Sequence, residues 1–192
     1  MQSIYLIRHA RTRANLKGAL CGKTESELID SQNDIKNQIL AKIGEFGEPV
    51  VISSPRKRAF FTAKSLGFEV VVEDGISEFD FGDFEGMTHK EIEMEFPESF
   101  KNLYDDSENF KYPGGEDKKV FFSRVAHSYE IIKEKYKDVN EIVIVSHGGV
   151  IQALISHILL KNDSLYWNFK IDNCTVIKLY YCGGVPVIEY IK

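Results

Sequence analysis

Residues 3 to 9, Ser-Ile-Tyr-Leu-Ile-Arg-His, set bulky β-formers in a row and then stop on an arginine and a histidine. The unbroken run Ile4, Tyr5, Leu6, Ile7 lacks polar alternation, which is the pattern of a strand buried on both faces, as inside a parallel sheet. Ligands of open α/β sheets collect at the carboxyl ends of the strands, and Arg8 and His9 fall at such an end. One strand ending in polar residues is ordinary. The same design recurs twice further along the chain.

Pro49 to Ser53 form a second apolar run, followed by Ser54, Pro55 and the basic cluster Arg56, Lys57, Arg58. Proline suits the first turn of a helix, so a helix is expected over Pro55 to Leu66 with Ser54 as its cap. Glu141 to Val145 form a third run that breaks into Ser146, His147, Gly148 and Gly149 before a helix expected over Val150 to Leu160. Such a strand-to-helix turn directs free N–H groups at an anion. Arg8 with His9, Arg58, and His147 are thus expected along one edge of one sheet.

The remaining elements follow in order. The spacing of Ile35, Ile39, Leu40, Ile43 and Phe46 predicts a helix from Ser31 to Phe46, ended by Gly47, and Phe68 to Val72 reads as another strand. Residues 75 to 87 are irregular, a helix spans Thr88 to Glu95, and the stretch from Pro97 to Gly115 has no clear periodicity. That stretch is rich in aromatics (Phe100, Tyr104, Phe110, Tyr112) and acids (Glu98, Asp105, Asp106, Glu108). An amphipathic helix, capped by Asp117 and running to about Tyr136, is expected to bury Val120, Phe121, Val125, Tyr129, Ile132 and Tyr136. A short helical piece near Ser164 to Phe169 precedes a closing hairpin of Thr175 to Tyr181 with Val185 to Ile191. Alternating strands and helices of this kind predict an α/β fold, a three-layer α/β/α sandwich with a mostly parallel central sheet.

At 192 residues, with no Pro/Gly/Ser-rich linker, one domain over residues 1–192 is expected, with a variable, substrate-covering insertion at about 75–115. A net charge of −5 speaks against nucleic acid as a partner. No apolar run reaches the roughly 18 to 20 residues that cross a bilayer, and the first residues do not read as a cleavable signal, so no membrane partner is expected. The three cysteines, Cys21, Cys174 and Cys182, have no CxxC spacing and suggest neither a disulfide framework nor zinc. A cytoplasmic location is the expectation, and a homodimer is compatible with it.

Taken together the segments resemble the histidine phosphatase superfamily, the phosphoglycerate mutase-like proteins. LIRHARTRAN is similar to that family's LIRHGETxxN, SSPRKRAFFTA to SSPxxRAxxTA, ISEFDFGDFEG to LxExxFGxWEG, PGGE at Pro113 to Glu116 to PGGES, and VSHGG to its own counterpart. The resemblance implies the same sandwich fold and a phosphomonoester hydrolase working through a phosphohistidine. It assigns the nucleophile to His9, phosphate binding to Arg8, Arg58, His147, Asn15 and the turn at Gly148, and the general acid to Glu78. Phe79 and Phe81 beside Glu78 are suited to raising its pKa by desolvation. Glu85 is the competing carboxylate, expected to brace the loop. His89, His127 and His157 are expected to serve core or surface roles.

No cofactor and no metal is expected, since no histidine or carboxylate pair has ligand spacing and two guanidiniums repel a dication. The expected partners are a small-molecule phosphate ester and the product inorganic phosphate. FDFGDFEG and the short chain are most similar to the α-ribazole phosphatase branch, which implies α-ribazole 5′-phosphate as a substrate, with the aromatics between Phe100 and Tyr112 either stacking on its base or lying in the core. Phosphoglycerate mutase is the alternative, disfavoured by the acids in the variable stretch, and a non-catalytic phosphate-binding regulator is the second. Three departures stand out: Ala10 for the usual glycine, Arg11 for the usual Glu or Gln, and a blurred GxxDxPLT signal at Gly22 to Ile29.

Overall fold

The computed structural model describes residues 2–105 and 110–192. Asp106 and Glu108 of the acidic stretch lie outside the described residues, as do the side chains of Tyr104 and Asp105. The elements run β1 (Ser3–Arg8), α1 (Arg13–Lys17), α2 (Gln32–Ile43), β2 (Val50–Ser53), α3 (Lys57–Ser65), β3 (Val70–Val72), α4 (His89–Glu95) and α5 (Pro97–Asp105). They continue through α6 (Lys118–Lys135), β4 (Glu141–Ser146), α7 (Gly148–Leu160), a 3₁₀ turn at Tyr166–Asn168, β5 (Val176–Cys182) and β6 (Val185–Ile191). The six strands form one sheet in the order β3-β2-β4-β1-β5-β6. β3, β2, β4 and β1 are mutually parallel, and the β5–β6 hairpin adds on antiparallel beside β1.

The unbroken apolar run of β1 is explained by what covers each face. Ile4 and Leu6 join a core with Phe121, Val125, Ile144 and Ile151, whereas Tyr5 and Ile7 join a second with Ile35, Ile39, Ala59 and Ala63. Successive strand residues point to opposite faces, so a strand sandwiched between helical layers must be apolar at every position. Helices α6 and α7 supply one layer, α2 and α3 the other. The three-layer α/β/α arrangement with a mostly parallel sheet is therefore present.

Local signals set most helix starts. Ser31, Thr88 and Asp117 each accept a backbone N–H of the first turn, and Thr88 with Glu91 completes a capping box. Four details differ from the sequence expectation. Helix α3 begins at Lys57 and not Pro55, so Arg56 is its N-cap residue, and Ser54, whose hydroxyl meets Arg56 N and His147, does not cap it. Helix α2 stops at Gly44, whose φ of 78° only glycine adopts readily, so Phe46 leaves the helix and turns its ring edge to Tyr5. Residues from Pro97 form a helix after all, with proline in the first turn and Phe100 and Leu103 against the core. Val120 is 58% exposed, since the buried stripe of α6 runs 121, 125, 128, 129, 132 and residue 120 lies about 100° away from its start.

Candidate active site

Strand register brings the candidate residues together. Arg8 of β1 is level with Ser146 of β4, and Ser53 of β2 is level with Val145. His9, Ser54 and His147 therefore all emerge just past the same edge of three adjacent strands. The His9 and His147 rings meet edge to face at 5.2 Å, and His147 Nε2 lies 2.8 Å from Ser54 Oγ. His9 and His147 are buried, and so is the side chain of Arg58.

The protonation of His9 is dictated by its surroundings. Its Nδ1 lies 2.8 Å from the carbonyl oxygen of Ala10, and since a carbonyl only accepts, Nδ1 carries the proton and Nε2 has a free lone pair. Burial first, then the positive charges of Arg58 and Arg8, hold the His9 pKa well below the ordinary value. His147 is depressed in the same way, by burial and then Arg58. Ala10, in place of glycine, fits without penalty: it is buried in the α2–α3 core, and its N–H donates to Thr62 Oγ1 at 3.0 Å.

Arg58 is held by main-chain carbonyls alone. Its Nη2 donates to Cys21 O at 2.8 Å and Gly22 O at 2.9 Å, and its Nη1 to Thr24 O at 2.9 Å. The loop that offers these carbonyls is itself tied down by Glu85, which accepts from the N–H groups of Gly22, Lys23 and Thr24 and from Phe81 N. Glu85 thus braces the loop, as its sequence context suggested. The blurred segment after Gly22 keeps this function because the loop acts through its backbone.

Buried polar groups are almost always hydrogen-bonded. Among the described residues four buried side-chain nitrogens have no partner: Arg8 Nε, Arg56 Nε, Arg58 Nε and His147 Nδ1. All four belong to residues at or just past the same ends of the adjacent strands β1, β2 and β4. An oxyanion is the ligand that such donors fit.

Glu78 lies at the same edge. Its carboxylate accepts from Phe79 N at 3.0 Å and from Gly149 N at 3.1 Å. Full burial outweighs these bonds and the attraction of Arg58 and Arg8, and the Glu78 pKa is raised above the ordinary carboxylate value. The free N–H of the turn before α7 therefore points at an anion, but that anion is the protein's own carboxylate. Gly148 instead lies against Arg8: a Cβ there would stand 3.4 Å from the guanidinium carbon. Asn15 is placed at the third position of α1, where its Oδ1 accepts from Thr12 N and from Asn173 Nδ2.

Several contributors carry no signal in sequence periodicity. Asn173 Nδ2 donates to the His9 carbonyl at 3.0 Å, and Cys174 N to the Arg8 carbonyl at 3.1 Å, so the segment before β5 fixes the end of β1. Arg124 of α6 is paired with Glu116 and donates to the carbonyls of Gly75, Ser77 and Glu78, which anchors the backbone of the Glu78 loop. Gly149 is required by close approach, because a Cβ there would fall 2.5 Å from Glu78 Oε1 and 2.9 Å from the Tyr166 hydroxyl. Of the remaining histidines, His157 pairs with Glu130 and His127 is exposed, as expected, but His89 lines a cavity next to Glu78. Of the aromatics in the variable stretch, Tyr112 lines that cavity while Phe100 and Phe110 pack on the core.

Among the described residues no cluster of three or more His, Cys, Asp or Glu is placed to hold a metal ion, and no helix is long and apolar enough to cross a membrane. A family model described as histidine phosphatase superfamily (branch 1) matches residues 4–192. The chain is 27% identical over 179 residues to phosphoserine phosphatase 1 of Hydrogenobacter thermophilus, a match covering 91% of this chain and 84% of that one. Its fold is that of the alpha-ribazole phosphatase from Shigella flexneri, with a TM-score of 0.88 and 23% identity over 98% of this chain and 95% of that one. A phosphoserine phosphatase from Entamoeba histolytica in complex with 3-phosphoglyceric acid superposes with a TM-score of 0.81 and 26% identity, covering 100% and 97% of the two chains.

Proposed function

This chain belongs to the histidine phosphatase superfamily, and on that premise we propose that it hydrolyses a small phosphomonoester through a phosphohistidine formed on His9. The observation that carries the proposal is that four buried nitrogens at this sheet edge, from Arg8, Arg56, Arg58 and His147, have no partner, while the contact of His9 Nδ1 with Ala10 O leaves its Nε2 lone pair free. Each guanidinium attracts a unit charge at about 4 Å by roughly 4 kcal/mol at an effective dielectric near 20, against about 0.3–2 kcal/mol for a helix end. Phosphate binding therefore rests on the arginines, with Asn15 and Gly148 as lesser contributors.

The proton inventory suits the reaction. His9 Nε2 attacks phosphorus as the P–O bond to the alcohol breaks, and Glu78, whose pKa is raised by burial, gives its proton to the departing oxygen. The Glu78 carboxylate then takes a proton from the water that attacks phosphohistidine, which releases inorganic phosphate and restores His9. Ser54 accepts from Arg56 N, so its own proton is available to His147 Nε2, which leaves Nδ1–H to donate to a transferring oxygen. A protein that merely bound phosphate would have no use for a buried carboxyl of raised pKa at that point.

The test is hydrolysis of 4-nitrophenyl phosphate in the presence of a chelator, with His9→Ala as control. Turnover by the parent and its loss in the variant are expected, together with an acid-labile phosphoryl group on the parent alone. Equal rates for both proteins would refute the proposal. α-Ribazole 5′-phosphate belongs in the substrate panel, as do the phosphoglycerates, whose interconversion would mark a mutase.

A further inference from the structure

Glu78 borders two cavities of different character. One, of about 310 Å³, is charged: Lys23 is paired there with Asp80 and Arg124 with Glu116. The other, of about 450 Å³, is built from Leu20, Phe81, Leu103, Tyr112, Tyr166 and Trp167. Among the described residues that line the larger cavity there is no lysine or arginine. Its polar members besides Glu78 are His89 and Gln152, and the Gln152 amide already donates to Phe169 O at 2.6 Å.

Trp167 is 62% exposed at this cavity, and the Tyr166 ring touches it edge-on at 4.6 Å. A large aromatic surface left open beside a general acid is surface that a ligand ring can cover. A carboxylate placed there would lose its water without meeting an opposite charge. The volume suits a one- or two-ring group.

Resting on the phosphatase reading above, we propose that the departing alcohol is uncharged and aromatic and is seated against Phe81, Tyr112 and Trp167, so that phosphoserine and phosphoglycerate are poor substrates. This departs from the substrate named for the phosphoserine phosphatase relatives. The charged cavity is the rival seat, since the side chains of Lys23 and Arg124 line it.

The experiment compares kcat/KM for benzyl phosphate and phosphoserine in the parent protein and in Trp167→Lys. Benzyl phosphate is expected to lead by roughly 10- to 100-fold, and Trp167→Lys, which removes the ring and brings an ammonium, to narrow that ratio at least about fivefold. Phosphoserine turned over as well as benzyl phosphate would overturn the assignment, and loss of that turnover in Lys23→Ala would place the alcohol in the charged cavity. An unchanged ratio in Trp167→Lys would likewise overturn it. The two levels separate cleanly: absence of His9-dependent turnover of 4-nitrophenyl phosphate defeats the phosphatase reading and this proposal with it, whereas a phosphoserine preference defeats the proposal alone.

Discussion

Glu85 is not among the groups proposed to hold phosphate, yet on the proposed mechanism phosphate binding should depend on it. Its carboxylate accepts from Gly22 N at 3.0 Å, Lys23 N at 2.8 Å, Thr24 N at 3.3 Å and Phe81 N at 3.2 Å, and from the Thr24 hydroxyl. The carbonyls of Cys21, Gly22 and Thr24 in turn hold Arg58. Glu85→Gln keeps the shape but turns an amide NH₂ toward one set of donors. Hydrogen bonds to a charged group contribute about 1.5–3 kcal/mol each, so two lost bonds amount to roughly 3–6 kcal/mol before relaxation. The loop is half exposed and water replaces part of this, leaving about 2–4 kcal/mol.

Bound phosphate must then reorder the loop and Arg58 together, so the loss falls on affinity. At about 1.4 kcal/mol per factor of ten, kcat/KM is expected to fall by roughly 30- to 700-fold, mainly through KM. Vanadate inhibition should weaken in parallel. Thermal unfolding separates a local from a global effect: about 2–4 °C of Tm is lost per kcal/mol that reaches the whole fold. If Glu85→Gln keeps kcat/KM and the vanadate inhibition constant within about threefold of the parent, the loop carbonyls do not position Arg58 for binding and the reasoning fails.

Four further outcomes are expected. With benzyl phosphate, kcat/KM should fall as pH rises through the raised pKa of Glu78, because the acid must hold its proton, and should not fall near pH 6.5 on the acid side, because His9 stays neutral well below that value. Glu78→Gln should lower kcat by about 10²- to 10⁴-fold and remove the alkaline limb, and a limb that persists would assign it to another group. Gly149→Ala should lower single-turnover rates about 100-fold, because its Cβ would stand 2.5 Å from Glu78 Oε1 and displace the carboxyl, and an unchanged rate would show that the acid tolerates movement. Phe121→Ala, which removes a fully buried ring stacked on Phe79 at 3.7 Å, should cost about 3–5 kcal/mol in urea unfolding, and a loss below about 1 kcal/mol would contradict the packing.

How far the sequence alone leads differs between elements for physical reasons. Strands β1, β2 and β4 are legible because burial on both faces forces apolar residues at every position, a signal that does not depend on partners. The caps at Ser31, Thr88 and Asp117 are legible because capping is a contact with the next turn. Ser54 misleads for the complementary reason: the helix starts later, and the hydroxyl that suits a cap also meets His147, 93 residues away. Asn173 and Arg124 are illegible because each acts on the main chain of a distant segment.

The cluster Arg56, Lys57, Arg58 shows the limit most sharply. The resemblance to SSPxxRAxxTA picks out Arg58, but by composition and periodicity alone the cluster is a basic run whose members are not ranked. Successive helical residues point about 100° apart, so the fold must separate them once α3 lies against the sheet. Arg58, facing inward, is 1% exposed and gripped by three carbonyls, Lys57 faces solvent, and Arg56 is half-buried with its Nε unpartnered. Burying a guanidinium is unfavourable unless its charge is answered. Carbonyl oxygens give Arg58 hydrogen bonds but no opposite charge, while Glu78, the carboxylate nearest the site, has its pKa raised toward the neutral form. The fold therefore holds an excess of positive charge at this edge, and a phosphate dianion is the group that would neutralise it.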